Sequence, residues 1–146
     1  MRERLNYYKA APNGAKALRE VGAYLKTSGL EPGLLHLGYL RAWQINGCAF
    51  CVDMHTREAL RDGEREKRLH MLVAWRESAL FSERERAALG WTEAVTRREQ
   101  THAPDDVYEE VRRQFDGAGI ANLTLAVAVI NAWNRMAVSF RTPPAG

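Results

Sequence analysis

Between Pro32 and Gly63 the chain reads PGLLHLGYLRAWQINGCAFCVDMHTREALRDG. Proline suits the first turn of a helix, where its missing N–H would have found no partner, and apolar residues then recur at spacings of three and four. A helix is therefore predicted from Pro32 to about Ile45. Asn46-Gly47 favours a turn or a helix break. A second helix is predicted to begin around Gly47 or Cys48 and to end at Asp62-Gly63.

Working outward, the same periodicity recurs almost throughout, and no stretch of strict apolar alternation bounded by turn signals stands out. The fold class expected is all-α. Upstream, a helix should start near Asn13-Gly14, carry Ala17, Leu18, Val21 and Leu25 on one face, and stop at Ser28-Gly29. Residues 1–12, with Tyr7, Tyr8 and Pro12, read as an extended arm. Downstream, Glu64 to Val73 forms a charged amphipathic helix. Ser82-Glu83-Arg84-Glu85 has the spacing of a capping box opening a helix that continues to about Arg98. Pro104-Asp105-Asp106 fits a first helical turn, followed by an apolar face of Val107, Val111 and Phe115. The last helix, near Ile120 to Phe140, is apolar almost all round, as expected of one enclosed by a bundle or shared with another subunit. No linker or internal repeat divides the chain, so residues 1–146 are expected to form one domain with a tail at 142–146.

A chain of 146 residues with 46% hydrophobic content is long enough to bury a core without staples. Its net charge of +3 comes from 21 basic and 18 acidic residues that mix closely. Arg57, Arg61, Arg65, Lys67 and Arg68 are interleaved with Glu58, Asp62, Glu64 and Glu66, which is not the basic stripe that binds nucleic acid. The N-terminus carries no signal-peptide pattern, making the cytoplasm the expected compartment. Asn122, Asn131, Asn134 and Arg135 interrupt the last helix, so no membrane span is expected.

Chemistry concentrates in Cys48-Ala49-Phe50-Cys51-Val52-Asp53-Met54-His55. Two thiols and an imidazole at helical offsets of 0, 3 and 7 share one face. Residues three apart lie roughly 5–6 Å apart at Cβ, so modest adjustment closes Cys48 to Cys51 as a disulfide. A helix start after Asn46-Gly47 offers unpaired N–H groups and the positive dipole end, which favour thiolate over thiol. His55 lies one turn beyond Cys51 and can take its proton, making Cys51 the attacking thiol and Cys48 the one that resolves a sulfenic acid. Zinc would need ligands drawn from His55 and a distant His36, His70 or His102, without a second cysteine pair. Haem attachment needs histidine where Val52 stands. Hence neither a metal nor a cofactor is expected. Structural thiols remain the bland alternative for each cysteine alone, while the joint pattern favours a redox role. His36, Tyr39 and Trp43 are spaced to face the thiol helix across the turn. A histidine there extends a proton relay or simply bonds to backbone.

Gln44 to Thr56 resembles, almost letter for letter, the signature of the AhpD-like alkylhydroperoxidases in the carboxymuconolactone decarboxylase superfamily. Trp75-Arg76-Glu77, Glu83 to Leu89 and Ile130 to Arg135 are similar to its later landmarks. The resemblance implies an all-α, AhpD-like helical bundle assembled as a trimer or hexamer, and a thiol-dependent hydroperoxide reductase of antioxidant type. It implies Cys51 as attacker, Cys48 as resolver and His55 in a proton relay, with a hydroperoxide substrate and an external dithiol or protein reductant as partners. Two positions depart from the pattern. His36 stands where the family often has a relay glutamate, and Trp43 where it has serine. His36 is thus a candidate substitute for that glutamate. Two other readings stay open: a non-peroxidatic disulfide-exchange protein, and a decarboxylase-like enzyme using His55 and His36 without the thiols.

Overall fold

A computed structural model describes residues 2–144. Among these there is no β-strand, and the chain winds through α1 (Tyr7–Ala10), α2 (Pro12–Leu25), α3 (Pro32–Asn46), α4 (Ala49–Arg61) and α5 (Glu66–Met71). A 3-10 segment, Leu72–Glu77, leads to α6 (Glu83–Thr96), α7 (Arg98–Thr101), α8 (Asp105–Gln114) and α9 (Gly117–Phe140).

Three helices hold the centre. α3 packs on α6 and on α9, and α6 on α9, because each carries apolar residues on more than one face. α3 contributes Leu34, Leu37, Leu40 and Trp43 to the core, α6 Leu89 and Trp91, and α9 Leu123, Val127 and Ile130. Full burial of each such side chain stabilises by roughly 1.5–3 kcal/mol. α3 comes close to α6 at Gly38, where an added Cβ would meet the Thr92 hydroxyl at 3.4 Å. α9, long and apolar enough on composition to cross a membrane, is one wall of this bundle and keeps Leu125 and Val138 exposed.

Most elements fall near their predicted bounds, and the differences have local causes. α2 starts at Pro12, using proline at its first position. α9 starts at Gly117, earlier than Ile120, because the Asp116 carboxylate accepts from the Gly119 N–H at 2.7 Å. The helix predicted over 64–73 is shorter, Glu66–Met71, then tightens into the 3-10 segment that buries Trp75. The helix after Ser82 stops at Thr96 rather than Arg98 and is followed by the separate turn of α7. Its capping box forms as expected: Ser82 Oγ accepts from the Glu85 N–H, and Glu85 Oε2 from the Ser82 N–H.

The extended arm expected over residues 1–12 is corrected. Asn6 caps a helical turn by accepting from the Lys9 N–H at 3.1 Å, and Tyr7 is buried. The Tyr7 ring sits 6.2 Å from that of Trp133 and 6.0 Å from that of Phe140, while the Arg4 N–H donates to the Phe140 carbonyl. Aromatic burial on α9 thus draws the segment against the bundle. In the expected tail, residues 142–144 have no regular structure, and 145–146 lie outside the described residues.

Candidate active site

The turn between α3 and α4 sets the site. Gly47 ends α3 in the left-handed region at φ 68°, where a Cβ is disfavoured, and the N–H groups of Gly47 and Cys48 both return to the Trp43 carbonyl. Cys48 then takes the N-cap position of α4, just outside the helix rather than within its first turn. Its Sγ accepts from the Cys51 N–H at 3.3 Å, as a serine oxygen would in that place. Cys48 and Cys51 are joined as a disulfide, with their Cα atoms 5.3 Å apart.

The second sulfur has its own donor. Asn134, buried on α9, directs Nδ2 to Cys51 Sγ at 3.4 Å, and its Oδ1 accepts from Asn46 Nδ2 at 2.5 Å. Asn46 donates also to Asn131 Oδ1, and Asn131 Nδ2 to the Val127 carbonyl and Thr96 Oγ1. A buried amide chain from the end of α3 through α9 therefore terminates on the Cys51 sulfur. Such a donor favours the thiolate over the thiol once the disulfide is opened.

His55 is fixed on two sides. Its ring stacks on Trp43, with centroids 3.5 Å apart and planes 12° apart, and its Nδ1 lies 2.5 Å from Glu58 Oε2. With Nδ1–H donating to that carboxylate, Nε2 carries the free lone pair. Burial pushes the His55 pKa down to about 4 against the pull of the Glu58 carboxylate, and His36 adds to the depression. The imidazole is therefore neutral, and able to accept a proton, throughout the physiological range.

His36, on α3, pairs with a carboxylate of its own. Its Nε2 lies 2.9 Å from Asp62 Oδ2, and this hydrogen bond is the main reason the Asp62 carboxyl titrates below its usual range. His36 and His55 line one cavity of about 710 Å³, together with Cys51, Tyr39, Trp43 and Glu58. Cys48 does not line it. Both sulfur residues are only 3% exposed, so the cavity gives the approach, and it leads to Cys51.

All four residues singled out in the sequence thus gather between α3 and α4: the cysteines bonded, the two histidines on the shared cavity, each held by a separate carboxylate. Sequence reasoning missed Glu58, Asp62 and Asn134. Glu58 stands three residues after His55 on the same helix, a spacing that marks side-chain neighbours. Asn134 is 83 residues from Cys51 and carried no local signal. Among the described residues, no three His, Cys, Asp or Glu side chains come together as a candidate metal centre.

Residues 12–94 match the carboxymuconolactone decarboxylase family. The chain is 38% identical over 139 residues to the uncharacterized protein YdfG of Bacillus subtilis, covering 95% of each. Among solved structures it is similar to ATU0492 of Agrobacterium tumefaciens, a protein of unknown function proposed there as the antioxidant defence protein AhpD. Identity is 46% and the TM-score 0.96, over 99% of each chain. An uncharacterized peroxidase-related protein from Ralstonia eutropha, described as an alkylhydroperoxidase AhpD core, superposes with a TM-score of 0.81 over 94% of this chain and 74% of that one. At 19% identity this likeness speaks for the fold alone. The fold is AhpD-like.

Proposed function

Because the chain belongs to the carboxymuconolactone decarboxylase family and has the AhpD-like fold, we propose that it is a thiol-dependent hydroperoxide reductase in which Cys51 attacks, Cys48 resolves and His55 moves the proton. An antioxidant role agrees with how the Agrobacterium protein is described. The observation that carries the finer reading is the asymmetry of the sulfur pair: Cys51 opens onto a cavity shared with a neutral imidazole, and Cys48 lies behind it at the helix cap.

The cycle starts with an external dithiol reducing the Cys48–Cys51 disulfide. His55 Nε2 takes the Cys51 proton, and Asn134 Nδ2 and the start of α4 favour the resulting thiolate. The thiolate attacks the terminal oxygen of ROOH. A sulfur–oxygen bond forms, the O–O bond breaks, and the departing alkoxide leaves as ROH with the proton held by His55. Cys48 then attacks the Cys51 sulfenic acid, the sulfur–oxygen bond breaks, and water leaves with the Cys48 proton as the disulfide reforms. The balance is ROOH plus dithiol giving ROH, water and the oxidised dithiol.

His55 needs Glu58 to present Nε2, so the carboxylate often found at position 36 in the family has its counterpart three residues beyond His55. His36, tied to Asp62, forms part of the cavity wall beside His55. The test is hydroperoxide consumption with a dithiol reductant. Cys51→Ser should lose at least about a thousandfold in rate at unchanged helicity, in line with removal of a covalent nucleophile. Equal rates for wild type and Cys51→Ser would remove the proposal.

A further inference from the structure

The cavity over Cys51 is larger than chemistry at one sulfur requires. Its volume of about 710 Å³ lies within the range of roughly 300–1,000 Å³ typical of sites for sizeable organic ligands. Hydrogen peroxide, comparable with one or two waters at about 30 Å³ each, would leave it mostly solvent. Its walls are apolar and aromatic, with Leu35, Tyr39, Trp43, Phe50, Ile130 and Trp133 among them. Such walls gain from contact with a bulky hydrocarbon body.

The charged groups around the cavity differ in whether they are already paired. On the α4 side every charged group has a partner: Glu58 holds His55, and Asp62 holds His36 and Arg61. Arg19 and Lys26 also line the cavity, from α2 and its C-terminal end. Their seven-residue separation is about 10 Å along a helix. Arg19 lies 5.9 Å over the Tyr8 ring, and among the described residues neither cation is paired with a carboxylate. Both are exposed. A ligand with one anionic end would be drawn to α2 by these cations and turned away from Glu58 and Asp62, leaving its other end toward Cys51.

From this arrangement we infer that the preferred substrate is an organic hydroperoxide with a bulky apolar body and a carboxylate remote from the peroxide, the carboxylate meeting Arg19 and Lys26 while the peroxide meets Cys51. This rests on the peroxidase reading for its chemistry. The carboxylate takes no part in bond breaking, so the products are the corresponding hydroxy acid and water, with the external dithiol oxidised as before.

Two measurements test it. The first compares kcat/KM for a fatty-acid hydroperoxide and its methyl ester in wild type and in Arg19→Ala/Lys26→Ala. The acid should be favoured by about three- to tenfold, the range expected for one or two partly exposed ion pairs. That ratio should fall toward one in the double variant and at high salt. Equal values for acid and ester in wild type, or a ratio indifferent to both substitutions, overturn the proposal. The second measures binding without turnover: quenching of tryptophan fluorescence by decanoate and by methyl decanoate in Cys51→Ser, since Trp43 and Trp133 line the cavity. Tighter binding of decanoate, lost in the triple variant with Arg19→Ala/Lys26→Ala, supports the anion site even if no hydroperoxide is consumed. In that case the peroxidase reading fails and the anion site stands. Consumption of hydroperoxides with no preference for decanoate keeps the first and refutes the second.

Discussion

Glu93 and His55 are both ionisable side chains with little exposure, and their surroundings are built differently. Glu93, 7% exposed between α6 and the 3-10 segment, accepts from Arg41 Nε at 2.7 Å, Trp75 Nε1 at 2.9 Å and Arg76 Nη1 at 2.5 Å. Burial pushes its pKa up, but the three donors outweigh burial and hold the carboxyl below its usual range. His55 has one carboxylate and one stacked ring, burial prevails, and its second nitrogen is left for other work. A saturated charge has no capacity to spare and serves the fold. A group fixed at one atom and free at another, beside a cavity, can serve a reaction.

Breaking the saturated cluster should have the largest effect on stability. Glu93→Ala leaves the Arg41 guanidinium, 11% exposed, and the Trp75 N–H without their acceptor. The expected cost is about 3–5 kcal/mol, or roughly 6–20 °C in Tm. Peroxide turnover per folded molecule should stay near wild type. A loss below about 1 kcal/mol in denaturant unfolding would show that the cluster is not the structural anchor inferred here.

A smaller effect should come from acid. The folded pKa of His55, about 4, lies below the ordinary value of 6.5, so the unfolded chain binds a proton that the folded chain refuses. Stability therefore falls as pH drops from about 6.5 toward 4, by at most about 3 kcal/mol from this group. Glu93 also loses its contribution in acid, but only below the ordinary glutamate range, near 4.5 and under. Between pH 6.5 and 5 the slope should belong to His55, and His55→Gln should flatten it. A slope unchanged in that variant would place the titrating group elsewhere.

Smaller in energy, but specific to chemistry, is Glu58→Gln. The amide oxygen can still accept from Nδ1–H, while the charge that supports the imidazolium during proton transfer is gone. A fall of about ten- to a hundredfold in kcat/KM is expected. The partly exposed side chain should add little to unfolding. Loss of stability with unchanged kcat/KM would mark Glu58 as a helix contact only.

Much of this was legible because it is local. Pro32, Asn46-Gly47 and the Ser82–Glu85 box mark helix ends through chemistry within four residues, and the offsets of Cys48, Cys51 and His55 put them on one side of one helix. The Trp43–His55 stack follows from the short turn between α3 and α4, though only the facing of those residues could be read, not the stack itself. What was not legible depends on distance along the chain. Asn134 reaches Cys51 only because α9 packs beside α3, and Asp62 reaches His36 only because the α3–α4 hairpin folds back on itself. Asparagines in an apolar helix could be read as a bar to membrane insertion, while their use as a donor chain to sulfur needed the packed bundle. Glu58 was within reach of sequence reasoning by its spacing.

The central claim is that Cys51, the sulfur facing the cavity, is the one that meets the oxidant. Cys48→Ser removes the resolving thiol, so reduced protein given one equivalent of hydroperoxide should accumulate a sulfenic acid on Cys51, trapped by a dimedone-type reagent and located by peptide mass spectrometry. Cys51→Ser treated alike should leave Cys48 unmodified. Labelling of Cys48 in the second variant, with Cys51 untouched in the first, would contradict the account.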